Sequence, residues 1–213
     1  MQRVTDSNPW LDDLRLAKQE VVTYEARDGV RIDGLLIHPL DGVPSGGAPL
    51  VLMVHGGPEA HYSNGWLTRY VSPGQALAAR GFAVFYPNYR GSTGRGVEFA
   101  MAGQGDYAGA EFDDLVDGVE ALADRGVVDA DRVGITGGSY GGFAAAWGAT
   151  ALSEHFKASV MFVGVSDQIS KFGTTDIPNE MYLVHARSWP WEAWDLHRER
   201  RPIYHAQEHR TPL

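Results

Sequence analysis

The sequence contains no cysteine, no long hydrophobic run and few basic residues. Without cysteine, a chain of 213 residues can form neither disulfides nor thiolate metal sites. No apolar run approaches the ~18 residues that span a bilayer, and the opening "MQRVTDSNPW" lacks the apolar core of a signal peptide. The 18 Lys and Arg against 27 Asp and Glu argue against a nucleic-acid surface. These absences predict a cytoplasmic protein with no membrane and no nucleic-acid partner.

The apolar content is sufficient for one globular domain. Hydrophobic residues make up 44% of the chain and aromatic residues 11%. A domain of this size buries roughly 70% of the surface that its unfolded chain exposes. We therefore expect a single domain with a substantial core.

The apolar patterns predict strands that alternate with helices. "EVVTYEA" and "VRIDGLLIH" flank Asp28-Gly29, which is typical of an antiparallel β-hairpin, and "PLVLMVH" is continuously apolar, like a strand covered on both faces. Repeated βα units follow and predict the α/β class, with an open, mostly parallel sheet and helices on both faces. The later segments are a helix capped by Ser72 with Pro73 as its first residue, the strand "FAVFYP", the helix "YAGAEFDDLVDGVEALADRG", the strand "RVGIT", a helix from Gly141 and the strand "ASVMFVGV".

A serine flanked by glycines stands between a strand pattern and a helix pattern. In "VGITGGSYGGFAAAWGA", residues Gly137 to Gly141 fit G-x-S-x-G, a motif that holds its serine on a strained turn between a strand and a helix. Small neighbours are required because the backbone is pinched there and a bulky side chain would collide with the adjoining elements. Ser139 is therefore the predicted nucleophile.

The loop "HGGPEAH" (His55 to His61) predicts an oxyanion hole. In acyl transfer the carbonyl oxygen becomes an anion, and hydrogen-bond donors must already point at it. Gly56 and Gly57 let main-chain N–H groups approach closely, and the second donor in this geometry is the N–H of the residue after the nucleophile, Tyr140. Taken alone, the stretch "HGGP" at the start of this loop fits a plain glycine turn equally well. Its place at the carboxyl end of a strand, with a serine turn later in the chain, favours the functional interpretation.

Four longer stretches point to a known family. They are "HGGPEAHYSNGW", "YPNYRGSTGRGVEF", "GDYAGAEFDDLVDGVEALADRG" and "TGGSYGGFAAAW". Together they resemble the catalytic domain of the prolyl oligopeptidase family of serine peptidases, especially its acylaminoacyl-peptidase branch. The resemblance implies the α/β-hydrolase fold, with Ser139 as nucleophile and the N–H groups of Gly57 and Tyr140 in the oxyanion hole. Other branches of the family have a tyrosine at the position of His55, and histidine favours main-chain donors.

The same resemblance implies that the other two triad residues lie outside the chain. In the family an acid and then a histidine follow the nucleophile, and the acid comes after a strand preceded by a "TPL" like the one ending at Leu213. We therefore expect both residues, and the missing C-terminal strands, beyond the C-terminus. Residues 1–18 resemble the connector from an absent N-terminal β-propeller. Residues 19–213 would then be an incomplete catalytic domain.

The predicted function is a serine-type peptidase that hydrolyses short or N-acylated peptides through an acyl-enzyme, with no cofactor. A peptide or acyl-peptide is the expected partner, and the apolar edge of "ASVMFVGV" predicts self-association or a complementing C-terminal segment. A carboxylesterase of the same fold is the alternative, because one nucleophile and oxyanion hole cleave esters and amides alike. A non-catalytic fragment is the third interpretation.

The triad could instead be completed within the chain. Asp167 follows the strand after the serine turn, where some α/β-hydrolases keep their acid, and four histidines lie downstream: His185, His197, His205 and His209. The resemblance assigns Asp167 to a loop on the substrate side. No later strand aims a histidine back at Ser139, which favours the external residues.

The segment "HAQEH" (His205 to His209) matches the zinc motif H-x-x-E-H. Such a site needs both histidines on one helix face and a third ligand from a later segment. Only four residues follow His209, and Pro212 would break a helix. We therefore predict a chance match and no metal.

Arg90, among glycines beside the expected cleft, has two interpretations. It could bind a substrate carboxylate, or it could tie together loop carbonyls or an acid such as Asp106, and the second is favoured. The aromatic residues near the end of the chain also have two interpretations, since they could line an apolar pocket or pack in the core. They are Phe172, Tyr182 and Trp189.

Overall fold

A six-stranded sheet forms the centre of the computed structural model, which describes residues 5–207 and 209–213. Its strands are β1 (Gln19–Glu25), β2 (Arg31–Ile37), β3 (Ala48–Val54), β4 (Ala83–Asn88), β5 (Val128–Gly138) and β6 (Ala158–Phe162). Their spatial order is β1-β2-β4-β3-β5-β6. The central strand β3 is therefore flanked by β4 and β5, and β6 lies at one edge.

The sheet is mixed. Parallel pairing joins β3 to β4, β3 to β5 and β5 to β6, whereas β2 pairs antiparallel with both β1 and β4. The opening hairpin forms at Asp28-Gly29, where Gly29 has φ +85 and the Ala26 N–H donates to the Val30 carbonyl at 2.8 Å. The predicted α/β class with an antiparallel start is confirmed.

Helices cover both faces of the sheet. Phe112 and Phe143, from two helices on one face, pack in a common core with Leu52, whereas Ala78 packs with Met53 on the other face. The α-helices are α1 (Gly74–Ala78), α2 (Val97–Ala100), α3 (Ala110–Asp124), α4 (Tyr140–Ala149), α5 (Gln168–Thr174), α6 (Pro178–Glu180) and α7 (Trp194–Glu199). A π-helix spans Met181–Ala186, and 3₁₀ helices span Pro9–Asp13 and Pro202–His205. Residues 1–4 of the predicted connector lie outside the described residues.

The first α-helix begins one residue later than predicted, at Gly74. The Ser72 hydroxyl donates to the Leu67 carbonyl at 3.3 Å and caps nothing. The Gln75 N–H donates instead to the Thr68 hydroxyl at 2.9 Å. The prediction of Ser72 as the cap is therefore wrong, because a residue of the preceding loop already satisfies a free donor of the first turn.

The edge strand β6 is shorter than predicted. The apolar pattern covers residues 158–165, but the strand ends at Phe162 because Val163 turns into the left-handed region with φ 44. On the outer side of β6, the Ser159 N–H donates to the Pro212 carbonyl at 2.9 Å. The last residues of the chain therefore run beside the start of this strand.

No helix among residues 5–207 and 209–213 has the length and apolar character needed to cross a membrane.

Candidate active site

Ser139 forms a sharp turn between β5 and α4. The strand ends at Gly138 and the helix begins at Tyr140, so one residue makes the connection. Its backbone angles are φ 58 and ψ −118, a strained conformation for a residue with a side chain. The Ser139 N–H donates to the Phe162 carbonyl at 3.1 Å, and the residue is exposed. This is the geometry that the G-x-S-x-G motif specifies.

The glycines around Ser139 are required by close main-chain packing. A Cβ atom on Gly137 or on Gly141 would overlap the Val54 carbonyl oxygen of β3. A Cβ atom on Gly142 would lie 2.6 Å from the Phe162 carbonyl oxygen. The start of α4 therefore lies directly against β3 and β6, and only glycine fits at these positions.

The loop His55–His61 leaves the carboxyl end of β3 beside Ser139. A Cβ atom on Gly56 would lie 3.7 Å from the Ser139 Oγ atom, so this glycine borders the hydroxyl. Gly57 follows with φ +123, and a Cβ atom there would overlap the Glu59 main-chain nitrogen. The loop thus depends on glycine at both positions, as the predicted close approach requires.

The side chain of His55 anchors this loop. Its Nδ1–H donates to the Gly56 carbonyl at 2.8 Å, and its Nε2 atom lies 2.8 Å from the Ser92 hydroxyl oxygen. The His55 ring stacks on the Tyr89 ring with centroids 4.5 Å apart, and the Tyr89 hydroxyl donates to the His55 carbonyl at 2.9 Å. Burial lowers the pKa of His55 to about 4, so the ring is neutral at pH 7.

A cavity of about 430 Å³ opens beside Ser139. Its wall is formed by the ends of β3 and β5, the loop after β3, and the segment before α1. The lining residues include His55, Gly56, His61, Gly138, Phe162 and Val163. The cavity is large enough for a side chain or an acyl group of a substrate.

Glu111 also belongs to this region, although no sequence motif indicated it. The Tyr140 hydroxyl donates to Glu111 Oε1, which also accepts the Ala108 N–H at 2.7 Å. Glu111 is the second residue of α3 and is only 1% exposed. An acid in the first helical turn is ordinary. The pattern therefore carried no signal that this one is buried against the residue after Ser139.

Arg90 is structural. Its guanidinium group donates to Asp114 of α3 and to Asp28 of the hairpin turn, with shortest distances of 2.6 Å to each. Arg90 is 7% exposed, and its donors are directed at these two carboxylates. The suggested partner Asp106 is wrong, because Asp106 pairs with Arg200 at 2.5 Å.

The internal acid and histidines do not converge on Ser139. Asp167 caps α5, accepting from the Ile169 and Ser170 N–H groups at 2.9 and 3.3 Å. Burial opposes ionisation of Asp167, but these hydrogen bonds and Arg201 outweigh it and lower its pKa. The later histidines contact other groups. His185 lies 3.8 Å from Glu180, and His197 lies 3.2 Å from the Tyr107 hydroxyl. His205 lies 2.8 Å from the Glu199 carbonyl, and His209 contacts the Ala206 carbonyl.

The zinc-like segment gives no metal centre in the part of the chain that the structure describes. Its Glu208 lies outside the described residues. The His205 side chain contacts the Glu199 carbonyl, and the His209 side chain contacts the Ala206 carbonyl. Elsewhere in the described residues, no three His, Asp or Glu side chains group as metal ligands would.

The late aromatic residues pack against one another. The Trp189 ring stacks on the Tyr182 ring with centroids 4.9 Å apart and on the Trp191 ring at 5.5 Å, and Phe172 meets both tryptophans edge-on. The wall of the cavity at Ser139 is made of other residues. These aromatics form a separate cluster, in which Trp191 is 67% exposed.

The comparisons with known sequences agree on one family of peptidases. A sequence model of the prolyl oligopeptidase family, Peptidase_S9, matches residues 70–213. The uncharacterized peptidase YuxL of Bacillus subtilis (strain 168) is 38% identical over 199 residues, which cover 91% of this chain and 29% of that protein. The acylamino-acid-releasing enzyme of Sus scrofa is 30% identical over 202 residues, which cover 92% of this chain and 27% of that enzyme.

Solved structures share the fold. An acylaminoacyl peptidase in complex with Z-Gly-Gly-Phe-chloromethyl ketone superposes with a TM-score of 0.87 at 29% identity, over 100% of this chain and 34% of that chain. The predicted hydrolase fold and the predicted resemblance are confirmed. The chain spans about a third or less of the length of these relatives.

Proposed function

Because the chain belongs to the prolyl oligopeptidase family of serine peptidases, we propose that it hydrolyses short or N-acylated peptides through an acyl-enzyme on Ser139. The observation that carries the proposal is the exposed serine on a strained turn, bordered by Gly56 and open to a cavity of about 430 Å³. The related acylaminoacyl peptidase bound to a peptide chloromethyl ketone supports a peptide substrate. In this proposal residues 19–213 belong to the catalytic domain and residues 1–18 to its connector.

The proposed reaction has two acyl-transfer steps. The Ser139 Oγ atom attacks the substrate carbonyl carbon while its proton passes to a histidine base, and the resulting oxyanion accepts the N–H groups of Gly57 and Tyr140. The C–N bond then breaks, the base returns the proton to the leaving amine, and an ester on Ser139 remains. Water hydrolyses this ester by the same route. The sequence of steps requires no cofactor.

We assign the base and the acid to polypeptide outside residues 5–207 and 209–213. The chain's own Asp167 is held by the N-terminus of α5, and the histidines that follow it face other groups. We propose that this polypeptide lies along the outer edge of β6. A parallel strand laid along it would end near Ser139, because β6 itself ends at Phe162, whose carbonyl accepts the Ser139 N–H.

The exposed side chains of β6 support a complementing segment at this edge. Val160 and Phe162 of β6 are 62% and 50% exposed, and Val163 just after the strand is 71% exposed. An apolar strand edge is prone to pair with another strand. In the absence of such a segment, the same edge would promote self-association of the chain. The cytoplasmic location stays a prediction from the sequence.

The proposal is tested with the full-length protein by comparing hydrolysis of an N-acyl-amino-acid anilide with that of the matching ester. Peptidase function predicts turnover of both, and a fluorophosphonate should label Ser139 covalently. Turnover of the ester alone would favour a carboxylesterase of the same fold. Absence of turnover and of labelling would contradict the proposal and leave a non-catalytic domain.

A further inference from the structure

Tyr140 couples the turn at Ser139 to the core through its side chain. Its main-chain N–H is one of the two proposed oxyanion donors, and its ring points the opposite way into the core and is only 5% exposed. The hydroxyl at the end of the ring donates to Glu111 of α3. Because ring and N–H belong to one residue, a contact that fixes the ring also fixes the direction of the donor.

The Tyr140 ring is held on its faces and edges as well as at its hydroxyl. The imidazole of His185 stacks on it with centroids 4.8 Å apart and an angle of 2° between the planes. Phe112 and Phe143 contact it at 5.7 and 5.4 Å. These contacts are apolar or stacking contacts and have no hydrogen-bond direction. The bond to Glu111 is the directional one.

Glu111 occupies a site built around its carboxyl group. Oε1 accepts the Tyr140 hydroxyl and the Ala108 N–H together, and Ala108 adopts the left-handed conformation, with φ 57, that presents this N–H. On the other side, a Cβ atom on Gly103 would overlap Oε2, so the loop before α3 closes tightly on the carboxyl. No cation among the described residues forms an ion pair with Glu111.

A buried acid without a cation is costly if it only fills space. Burial raises the pKa of Glu111 to about 8, so the group is mostly protonated at pH 7 and accepts at Oε1 as a neutral acid. An apolar side chain of similar size would avoid this cost but would leave the Tyr140 hydroxyl and the Ala108 N–H without an acceptor. The carboxyl group of Glu111 therefore supplies the acceptor that both of these groups use.

We propose that Glu111 is a positioning residue, which holds the Tyr140 hydroxyl and thereby aims the Tyr140 main-chain N–H at the substrate oxyanion. The proposal rests on the proposed hydrolase function of Ser139. It names a residue that touches neither substrate nor Ser139 and acts only through Tyr140.

The test uses four variants of the full-length protein: Glu111→Leu, Tyr140→Phe, their double variant, and Glu111→Gln. Misaiming one oxyanion donor should lower kcat by about 10- to 100-fold, less than the loss of a donor, and leave KM within about threefold. Glu111→Gln should keep kcat within about threefold, because its amide oxygen accepts the same two groups. The double variant should have a kcat no lower than that of the slower single variant, because both changes remove the same hydrogen bond between Tyr140 and Glu111.

Tyr24→Phe is the matched control. Tyr24 is 6% exposed, and its hydroxyl also donates to α3, at 2.6 Å from the Asp114 carbonyl, but it contacts nothing at the turn. It should lower thermal stability as much as Tyr140→Phe does and leave kcat unchanged. An equal loss of kcat in Tyr24→Phe, or additive losses in the double variant, would overturn the positioning role in favour of general destabilisation.

A second measurement separates this inference from the hydrolase proposal. In protein labelled with ¹⁵N-tyrosine, the Tyr140 amide signal is the one lost in Tyr140→Phe. Glu111→Leu should move this signal, whereas Glu111→Gln and Tyr24→Phe should leave it in place. If the parent protein hydrolyses no substrate, the hydrolase proposal fails but the signal still reports on positioning. An unmoved Tyr140 signal in a folded Glu111→Leu variant would refute the positioning role itself.

Discussion

The Nε2 atom of His55 lies 2.8 Å from the hydroxyl oxygen of Ser92, in a contact buried on both sides. The Nδ1–H of His55 is already used by the Gly56 carbonyl, so the neutral ring accepts at Nε2. The Ser92 hydroxyl has a single proton, which is shared between His55 Nε2 and the Tyr89 carbonyl oxygen, 2.6 Å away. One hydroxyl therefore joins the loop His55–His61, which carries the proposed oxyanion donor Gly57 and is called the oxyanion loop below, to the loop after β4.

Ser92→Ala should loosen the oxyanion loop. The change removes the hydroxyl that bridges His55 Nε2 and the Tyr89 carbonyl in a buried position, at a cost of about 1–3 kcal/mol in the free energy of unfolding. We expect kcat to fall about tenfold with KM nearly unchanged, because the loop carries the proposed oxyanion donor Gly57, which would act in the transition state. Thr93→Val is the control. It removes an exposed hydrogen bond between the same loops, in which the Thr93 hydroxyl oxygen lies 2.8 Å from His61 Nδ1. Equal kinetics in both variants would contradict the account.

Gly57 is the proposed donor in this loop, and its replacement by alanine should lower kcat about 100-fold or more. A Cβ atom there would overlap the Glu59 nitrogen, so the loop must shift. Gly29→Ala is the matched control. Gly29 also has a positive φ, +85, but nothing lies within 4 Å of its Cβ position. Steady-state kinetics and thermal unfolding of both variants check the prediction, and an unchanged kcat in Gly57→Ala would mean that the donor is elsewhere.

Arg90 should matter for stability and not for substrate choice. Arg90→Met leaves Asp114 buried with no counter-ion and should lower the free energy of unfolding by about 3–5 kcal/mol. Asp28→Asn, at a side chain 45% exposed, should cost at most about 1 kcal/mol. Denaturant unfolding measures both. A stable Arg90→Met variant with a raised KM only for substrates carrying a free carboxylate would restore the substrate-binding interpretation.

The protonation of Glu111 should make stability depend on pH. Its folded-state pKa of about 8 lies above the unfolded value of 4.5, so the folded state binds a proton that the unfolded state has lost between these values. The stabilisation is complete below about pH 4.5 and is lost as pH rises through about 8. Among the described residues, the titratable groups near this carboxyl include Tyr140, Tyr89, Asp106 and Asp114.

Glu111→Gln removes that dependence. Its free energy of unfolding, relative to the parent protein, should therefore increase between pH 5 and pH 9, by a few kcal/mol in total. Urea unfolding at several pH values measures the difference. A difference that stays constant over this range would mean that Glu111 has an ordinary pKa in the folded protein.

Features that depend on local backbone geometry could be predicted from the sequence. The turn at Ser139 follows from its own glycines, because Gly137, Gly141 and Gly142 are needed where the chain passes against β3 or β6. The hairpin at Asp28-Gly29 follows in the same way from a turn sequence between two alternating strands. In both cases the determining residues lie within a few positions of one another.

Features that depend on distant partners could not be predicted. Glu111 meets Tyr140 across 29 positions of the chain, and Arg90 meets Asp28 across 62. Nothing in a local pattern distinguishes Asp28 from Asp106 as the partner of Arg90. The first α-helix shows the same limit on a smaller scale, since its cap comes from Thr68 and not from the adjacent serine.

The most direct test of the central claim is the turnover of Ser139→Ala in the full-length protein, measured beside Ser45→Ala. Ser45 is an exposed serine in the loop before β3, at the opposite end of the parallel strands from Ser139. We predict that Ser139→Ala lowers kcat at least about 1,000-fold and that Ser45→Ala changes nothing. A Ser139→Ala protein with activity within about tenfold of the parent would contradict the assignment of Ser139 as the nucleophile.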